Sequence, residues 1–213
     1  MRELLREERR WLARSCKDRS FKDQLPCFRR FFQIYFSHIT HPVVAGYWPF
    51  SEEADPIPLL TSLAQDGVLC ALPSIHDVKA PLLFKAWSPG DPLRSSSLLG
   101  AQEEILEPLP EKRFLMPHIV LVPLLGFDRE GHRLGYGKGF YDKTLHFLRE
   151  KNPEMIAIGF GFEGQERESI PVTSQDESLD WIFTQNEIVC CLKTKDSLLK
   201  KERVLHRDLV KKF

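Results

Sequence analysis

The chain has 213 residues, 42% of them hydrophobic and 28% charged, an ordinary globular balance that lets one domain bury its own core without metal or disulfide staples. Thirty basic residues offset thirty acidic ones, which argues against a general nucleic-acid binder. Five cysteines, an odd number with no C-x-x-C spacing, read as reduced structural thiols.

The start, MRELLREERRWLARS, is charged throughout and lacks the apolar core of a signal peptide. Its strong helix formers predict a helix over residues 2 to 15. A second helix is expected from Gln24 to His38, with Phe28, Phe31, Phe32, Tyr35 and Phe36 as a core-packing stripe. PVVAGYWPF reads as a strand. The second half of SEEADPIPLLTSLAQDG reads as a helix capped at Gly67. VLCALP and LLFKAW read as strands, and residues 88 to 111, rich in Pro, Ser and Gly, as a long surface connection. The run Ile119 to Phe127 (IVLVPLLGF) is too short to span a bilayer and suits a strand buried on both faces. YDKTLHFLREK is helical, MIAIGF is a buried strand, and WIFTQNEIVCCL supplies one or two more.

Strands alternating with helices predict an α/β domain, three layers deep (α/β/α), around a central, mostly parallel sheet. That domain is expected to cover residues 1 to 191, with the basic segment 192 to 213 as a helical appendage. The chain is expected to be cytoplasmic, a monomer or weak homodimer, with no nucleic-acid or membrane partner.

The chemistry concentrates between Gly131 and Asp142, GHRLGYGKGFYD. In open α/β sheets, ligands bind beyond the carboxyl ends of strands, and this loop runs from a strand into a helix. The alternating Gly135, Gly137 and Gly139 let the backbone approach a ligand and expose its amides. Arg133 and Lys138 add positive charge, and Asp142 places a carboxylate where a magnesium ion bridging phosphates can be held. The loop is not a Walker motif, because His132 stands where its first glycine belongs and Gly139 where its Ser/Thr belongs. Gly159, Gly161 and Gly164 match G-x-G-x-x-G, but Pro171 follows soon after with no amphipathic helix between. They read instead as a strand end near the same pocket.

LVPLLGFDREGHRLGYGKGFYDKTL closely resembles the signature of 5-formyltetrahydrofolate cyclo-ligases, and the likeness runs from about residue 2 to 191. The fold this implies is similar to the sugar-phosphate isomerase and CoA transferase architecture. The implied reaction joins 5-formyltetrahydrofolate and ATP, with Mg2+, to give 5,10-methenyltetrahydrofolate, ADP and phosphate through a phosphorylated formyl group. Arg2 and Arg6 match a basic i, i+4 pair that touches ATP phosphates, with Arg2 in place of the usual lysine. Arg133, Leu134, Gly135, Tyr136, Gly137, Lys138, Gly139, Phe140 and Tyr141 match the nucleotide loop; Arg133 and Lys138 carry the catalytic charge. The stretch from Tyr136 to Phe140 is shared with substrate, with Phe140 where a tyrosine is common. Glu53 matches a folate-contacting glutamate and Trp48 falls near a substrate-lining position. Asp142 and Asp176 match the metal carboxylates, Asp180 is a nearby second aspartate, and Gln175 stands where a histidine is frequent. A non-catalytic nucleotide- or folate-binding relative is expected to have lost the loop charges or the acidic pair; here all are present.

Overall fold

The computed structural model describes residues 2–15, 21–96 and 105–191. The expected basic appendage lies outside the described residues. The first helix, α1 (Arg2–Ser15), and the second, α2 (Leu25–Phe36), form where helix formers and the aromatic stripe place them. Phe28, Phe31, Phe32 and Phe36 of α2 are buried, as their spacing predicts. Strand β1 (Val43–Ala45) follows, then α3 (Ile57–Gln65), with a proline in its first turn. Gly67 stops α3: at φ +84° its N–H reaches back to the Ala64 carbonyl at 3.0 Å.

Strands β2 (Leu69–Ser74) and β3 (Leu83–Trp87) pair antiparallel. Two short strands, β4 (Leu93–Ser95) and β5 (Leu106–Pro108), then make a separate antiparallel pair. The expected surface connection over 88 to 111 is therefore corrected: part of it is ordered sheet, and Glu107 within it is only 2% exposed. The Glu107 carboxylate accepts bonds from Ser74 Oγ, Ile75 N and Arg94 Nη2 at 3.1, 3.0 and 2.7 Å. Polar burial of this kind leaves no hydrophobic pattern to read.

Further along the chain come β6 (Ile119–Pro123), β7 (Gly126–Phe127), β8 (Arg133–Leu134), α4 (Phe140–Lys151), β9 (Ile156–Phe160), β10 (Trp181–Phe183) and β11 (Ile188–Cys190). A seven-stranded sheet runs in the order β11-β10-β9-β6-β1-β2-β3. From β10 to β2 every pairing is parallel; only the edge strands β11 and β3 run antiparallel. Strand β6 alternates its run between two cores. Ile119 and Leu121 pack with Phe28, Phe31, Leu60 and Leu63 from α2 and α3. Val120 and Val122 pack with Leu145 and Leu148 of α4. The result is the expected three-layer α/β/α arrangement, in which each fully buried Leu or Phe stabilises by roughly 1.5–3 kcal/mol.

Sequence order along the sheet reverses between β1 and β6: β1 is followed outward by β2, and β6 by β9 and β10 on the opposite side. Chains leaving adjacent strands in opposite directions open a crevice at their carboxyl ends. Val43–Ala45 is a shorter strand than PVVAGYWPF suggested, because Tyr47 and Trp48 turn out of the sheet at that crevice.

Candidate active site

The crevice holds a cavity of about 950 Å³. Its lining includes residues at or just past the carboxyl ends of β1, β2 and β6, namely Tyr47, Ile75 and Pro123. Every site residue expected from the sequence lines it: Arg2 and Arg6 from α1, Trp48 and Glu53 after β1, the continuous stretch Arg133 to Asp142, and Asp176. Gln175 lines it too. Asp180 does not; it accepts bonds from Ala157 N and Arg149 Nη2 at 2.8 and 3.1 Å and pins β9 to α4.

The glycine loop is more structured than a bare turn. Its first part is the β7–β8 hairpin, closed by Gly131 at φ +90° and by Asp128, whose carboxylate accepts the His132 and Ile170 N–H groups at 3.0 and 2.9 Å. Its second part, Gly135 to Gly139, delivers the chain into the N-terminus of α4, with Gly137 and Gly139 at positive φ. Helix α1 lies against this second part. Arg2 Nε donates to the Gly135 carbonyl at 3.2 Å, and a Cβ on Gly137 would sit 3.3 Å from the Arg2 guanidinium carbon. Arg6 stands 5.3 Å from the Tyr136 ring centre.

Arg133 is nearly buried and pairs with Asp142 at 2.7 Å, through Nη2 and Oδ1. That same Oδ1 accepts the Glu177 N–H at 3.3 Å, which brings the Asp176 segment against the start of α4. Asp176 itself closes a turn, its Oδ2 accepting Thr173 N at 2.6 Å and Thr173 Oγ1 at 2.9 Å. Among the described residues, Arg6 Nε, Arg9 Nε and Nη1, and Arg133 Nε are buried with no hydrogen-bond partner. Buried donors left unpaired are costly, and those of Arg6 and Arg133, both on the cavity wall, are free to meet an anion there.

Glu53 lies on the far side of Tyr136. Its side chain is 7% exposed, its Oε2 accepts the Phe50 N–H at 2.9 Å, and its Oε1 is 3.6 Å from Arg9 Nη1, an ion pair too long for a hydrogen bond. Burial raises its pKa to about 7, while the Phe50 N–H and the Arg9 guanidinium pull the other way. Burial likewise lifts the Tyr47 and Tyr141 hydroxyls well above the ordinary phenol range, so both stay neutral donors beside it.

A family model for 5-formyltetrahydrofolate cyclo-ligases matches residues 1–185. The chain belongs to the 5-formyltetrahydrofolate cyclo-ligase family. The cyclo-ligase of Haemophilus influenzae is 32% identical over 141 residues, 64% of this chain and 72% of its own. That of Escherichia coli K12 is 31% identical over 150 residues, 68% of this chain and 79% of its own. The solved 5,10-methenyltetrahydrofolate synthetase of Aquifex aeolicus superposes with a TM-score of 0.61 at 23% identity, over 92% of this chain and 96% of that one. A synthetase from Mycoplasma pneumoniae gives 0.60 at 18% identity, over 85% and 96%. At those identities the likeness is one of fold.

Two features of this cyclo-ligase family chain were not foreseen. Gly159, Gly161 and Gly164 do not line the cavity. A Cβ on Gly161 would lie 2.7 Å from both Gln165 Oε1 and Leu124 Cδ1, and one on Gly164 would lie 2.5 Å from Leu12 Cδ2, so these glycines permit close packing. The second is Arg9, only 2% exposed, which meets both Tyr136 and Glu53. The available signal was its spacing: Arg2, Arg6 and Arg9 fall at i, i+4 and i+7 on one helical face. Among the described residues, no helix is long and apolar enough to cross a membrane.

Proposed function

We propose that this chain cyclises 5-formyltetrahydrofolate to 5,10-methenyltetrahydrofolate, consuming ATP with Mg2+ and releasing ADP and phosphate. The observation that carries the proposal is the two-sided cavity. One side gathers Arg2, Arg6, Arg133 and Lys138 around backbone amides at a helix N-terminus, and the other joins a buried acceptor, Glu53, to aromatic walls.

The formyl oxygen of an amide-like group is a poor leaving group. Transfer of the γ-phosphoryl from ATP to that oxygen forms an O–P bond and releases ADP. Nitrogen 10 then attacks the formyl carbon, the C–O bond breaks, phosphate departs and the nitrogen gives up its proton. No protein nucleophile is needed, so the protein's task is alignment and charge neutralisation. Arg133 and Lys138 receive charge spreading over the transferring phosphoryl group; Arg2 and Arg6 hold the remainder of the triphosphate. The Arg133–Asp142 pair keeps the arginine from lying bare before ATP arrives. Glu53, Trp48 and Phe140 hold the folate, the carboxylate accepting pterin N–H bonds and the rings giving apolar contact.

The residues present fit a magnesium ion held largely by phosphate. Among the described residues no three acidic, histidine or cysteine side chains gather into a cage. Magnesium instead favours one or two carboxylates together with substrate phosphates. Asp142 and Asp176, whose segments touch through the Glu177 N–H, are the residues that would hold it. Bound there, the ion would neutralise phosphate charge.

The test is direct. The full chain is mixed with 5-formyltetrahydrofolate, ATP and magnesium, and the near-ultraviolet absorbance of the methenyl product is followed. Product formation that requires ATP is expected; absence of product, or product formed equally well without ATP, overturns the proposal.

A further inference from the structure

We infer that Arg9, which stands behind the cavity wall, is a positioning residue that keeps the Glu53 carboxylate ionised and oriented toward the pterin, with Tyr136 fixing Arg9 in place. The inference rests on the proposed reading of Glu53 as the folate acceptor.

Helix α1 turns Arg2, Arg6 and Arg9 to the same side, yet the three differ in surroundings. Arg2 is exposed and Arg6 half-buried, both on the cavity wall; Arg9 is buried and is not among the residues that line it. An arginine buried only to anchor a helix is an expensive choice, and α1 already has an apolar anchor in Leu5, 3% exposed. Every described contact of the Arg9 head goes to the site. Nη2 donates to the Tyr136 hydroxyl, the guanidinium stands 5.1 Å from the Tyr136 ring centre, and Nη1 faces Glu53 Oε1 at 3.6 Å. Its Nε and Nη1 have no hydrogen-bond partner among the described residues. A buried guanidinium with spare donors beside a buried carboxylate acts on that carboxylate through charge.

The groups facing Glu53 come from four directions: Arg9 from α1, Tyr47 from the end of β1, Tyr136 from the glycine loop and Tyr141 from α4. Arg9 is the one cation among these four. The tyrosines offer Glu53 no charge to offset burial, so, with the Phe50 N–H fixed by the backbone, Arg9 is the side chain that tips the balance between its neutral and ionised forms near pH 7. Tyr136 fixes Arg9 in turn: its hydroxyl accepts from Nη2, its ring is flanked by Arg6 and Arg9, and its far edge meets Phe50, whose N–H bonds Glu53. The glycine loop and the folate acceptor are thereby joined through one side chain of α1.

The test is the pH dependence of kcat/KM for 5-formyltetrahydrofolate at saturating Mg-ATP, measured on the full chain and on Glu53→Gln, Arg9→Met, Arg9→Lys and Tyr136→Phe. Wild type is expected to lose kcat/KM as pH falls through about 7. Glu53→Gln should raise the folate KM at least about tenfold and abolish that limb, as loss of a charged acceptor implies. Arg9→Met should move the limb up by about one pH unit or more, as removal of a neighbouring opposite charge requires. Arg9→Lys should return the limb toward its wild-type position, and Tyr136→Phe should move it upward by less than Arg9→Met. A structural anchor, in contrast, would lower Tm and leave the limb in place. If Arg9→Met does not fold, Tyr136→Phe decides, and an unmoved limb in that variant overturns the inference. A raised folate KM in Glu53→Gln with the limb unmoved in a folded Arg9→Met removes the role of Arg9 alone. An unchanged folate KM in Glu53→Gln removes the reading of Glu53, and this inference with it.

Discussion

Replacing Asp142 by asparagine separates two duties of one side chain. In the free protein Asp142 is the counter-charge of Arg133, whose side chain is 6% exposed, against 22% for Asp142 itself, with 2.7 Å between them. Asparagine keeps the shape and an acceptor oxygen but leaves the guanidinium buried opposite a neutral amide. Breaking a fully buried pair from one side costs about 3–5 kcal/mol. Because Asp142 retains some exposure, screening reduces the expected loss to about 2 kcal/mol. For a chain of this size, roughly 2–4 °C in Tm accompanies each kcal/mol, so Tm should fall by roughly 4–8 °C. ATP added with a chelator, so that no magnesium is present, brings phosphate charge to Arg133. It should therefore raise the Tm of Asp142→Asn more than that of wild type. Thermal unfolding with and without ATP reads both effects. An unchanged Tm, or the same ATP-induced rise in both proteins, refutes the counter-charge argument. The metal duty is read separately in turnover: the variant should need more magnesium, and an unchanged requirement removes Asp142 from the metal site.

Lys138 is exposed, so Lys138→Ala should leave Tm unchanged while lowering kcat at least about a hundredfold, the scale of one lost transition-state donor; near-wild-type turnover sinks its catalytic role. Glu53 carries a signed pH prediction for stability. Its folded pKa of about 7 lies above the ordinary 4.5, so the native state holds an extra proton between those values. That contribution is complete below about 4.5 and is lost as pH rises through about 7. Denaturant titrations should therefore show Glu53→Gln gaining about 2–4 kcal/mol relative to wild type between pH 4 and pH 8, and a pH-independent difference counts against the burial argument. Gly131→Ala should cost about 3 kcal/mol, because strain at a position with φ +90° adds to a steric clash. Its Cβ would stand 2.4 Å from the Leu179 carbonyl oxygen. Wild-type stability in urea refutes that packing.

Much of this site could be read from the chain because its chemistry is contiguous. Ten consecutive residues, Arg133 to Asp142, all line the cavity, and alternating glycines beside two cations and a carboxylate are an uncommon string. The central strands were legible for a related reason: β6 and β9 are apolar on both faces, and few other structures accept such runs. The parts that escaped notice depend on distant pairings. Glu107 looks like any surface acid until Arg94, Ser74 and Ile75 close around it. Arg9 is one arginine of several in a strongly charged helix, and only folding places it between residues 53 and 136. Tyr47 and Trp48 continue a β-prone run, and nothing local says where the sheet lets them go.

The hydrogen bond from Arg2 to Gly135 spans 133 positions of the chain, Gly137 lies against the same guanidinium, and the contact bears on how such proteins can be recombined. The first helix and the glycine loop meet where one has no side chain and the other lays a guanidinium in that space. A chimera that takes α1 from one relative and the loop from another exchanges half of a fitted pair, and either a bulkier residue at 137 or a shorter one at 2 spoils the fit. In this fold the amino-terminal helix and the loop before α4 are a single exchangeable unit, to be grafted, diversified or inherited together.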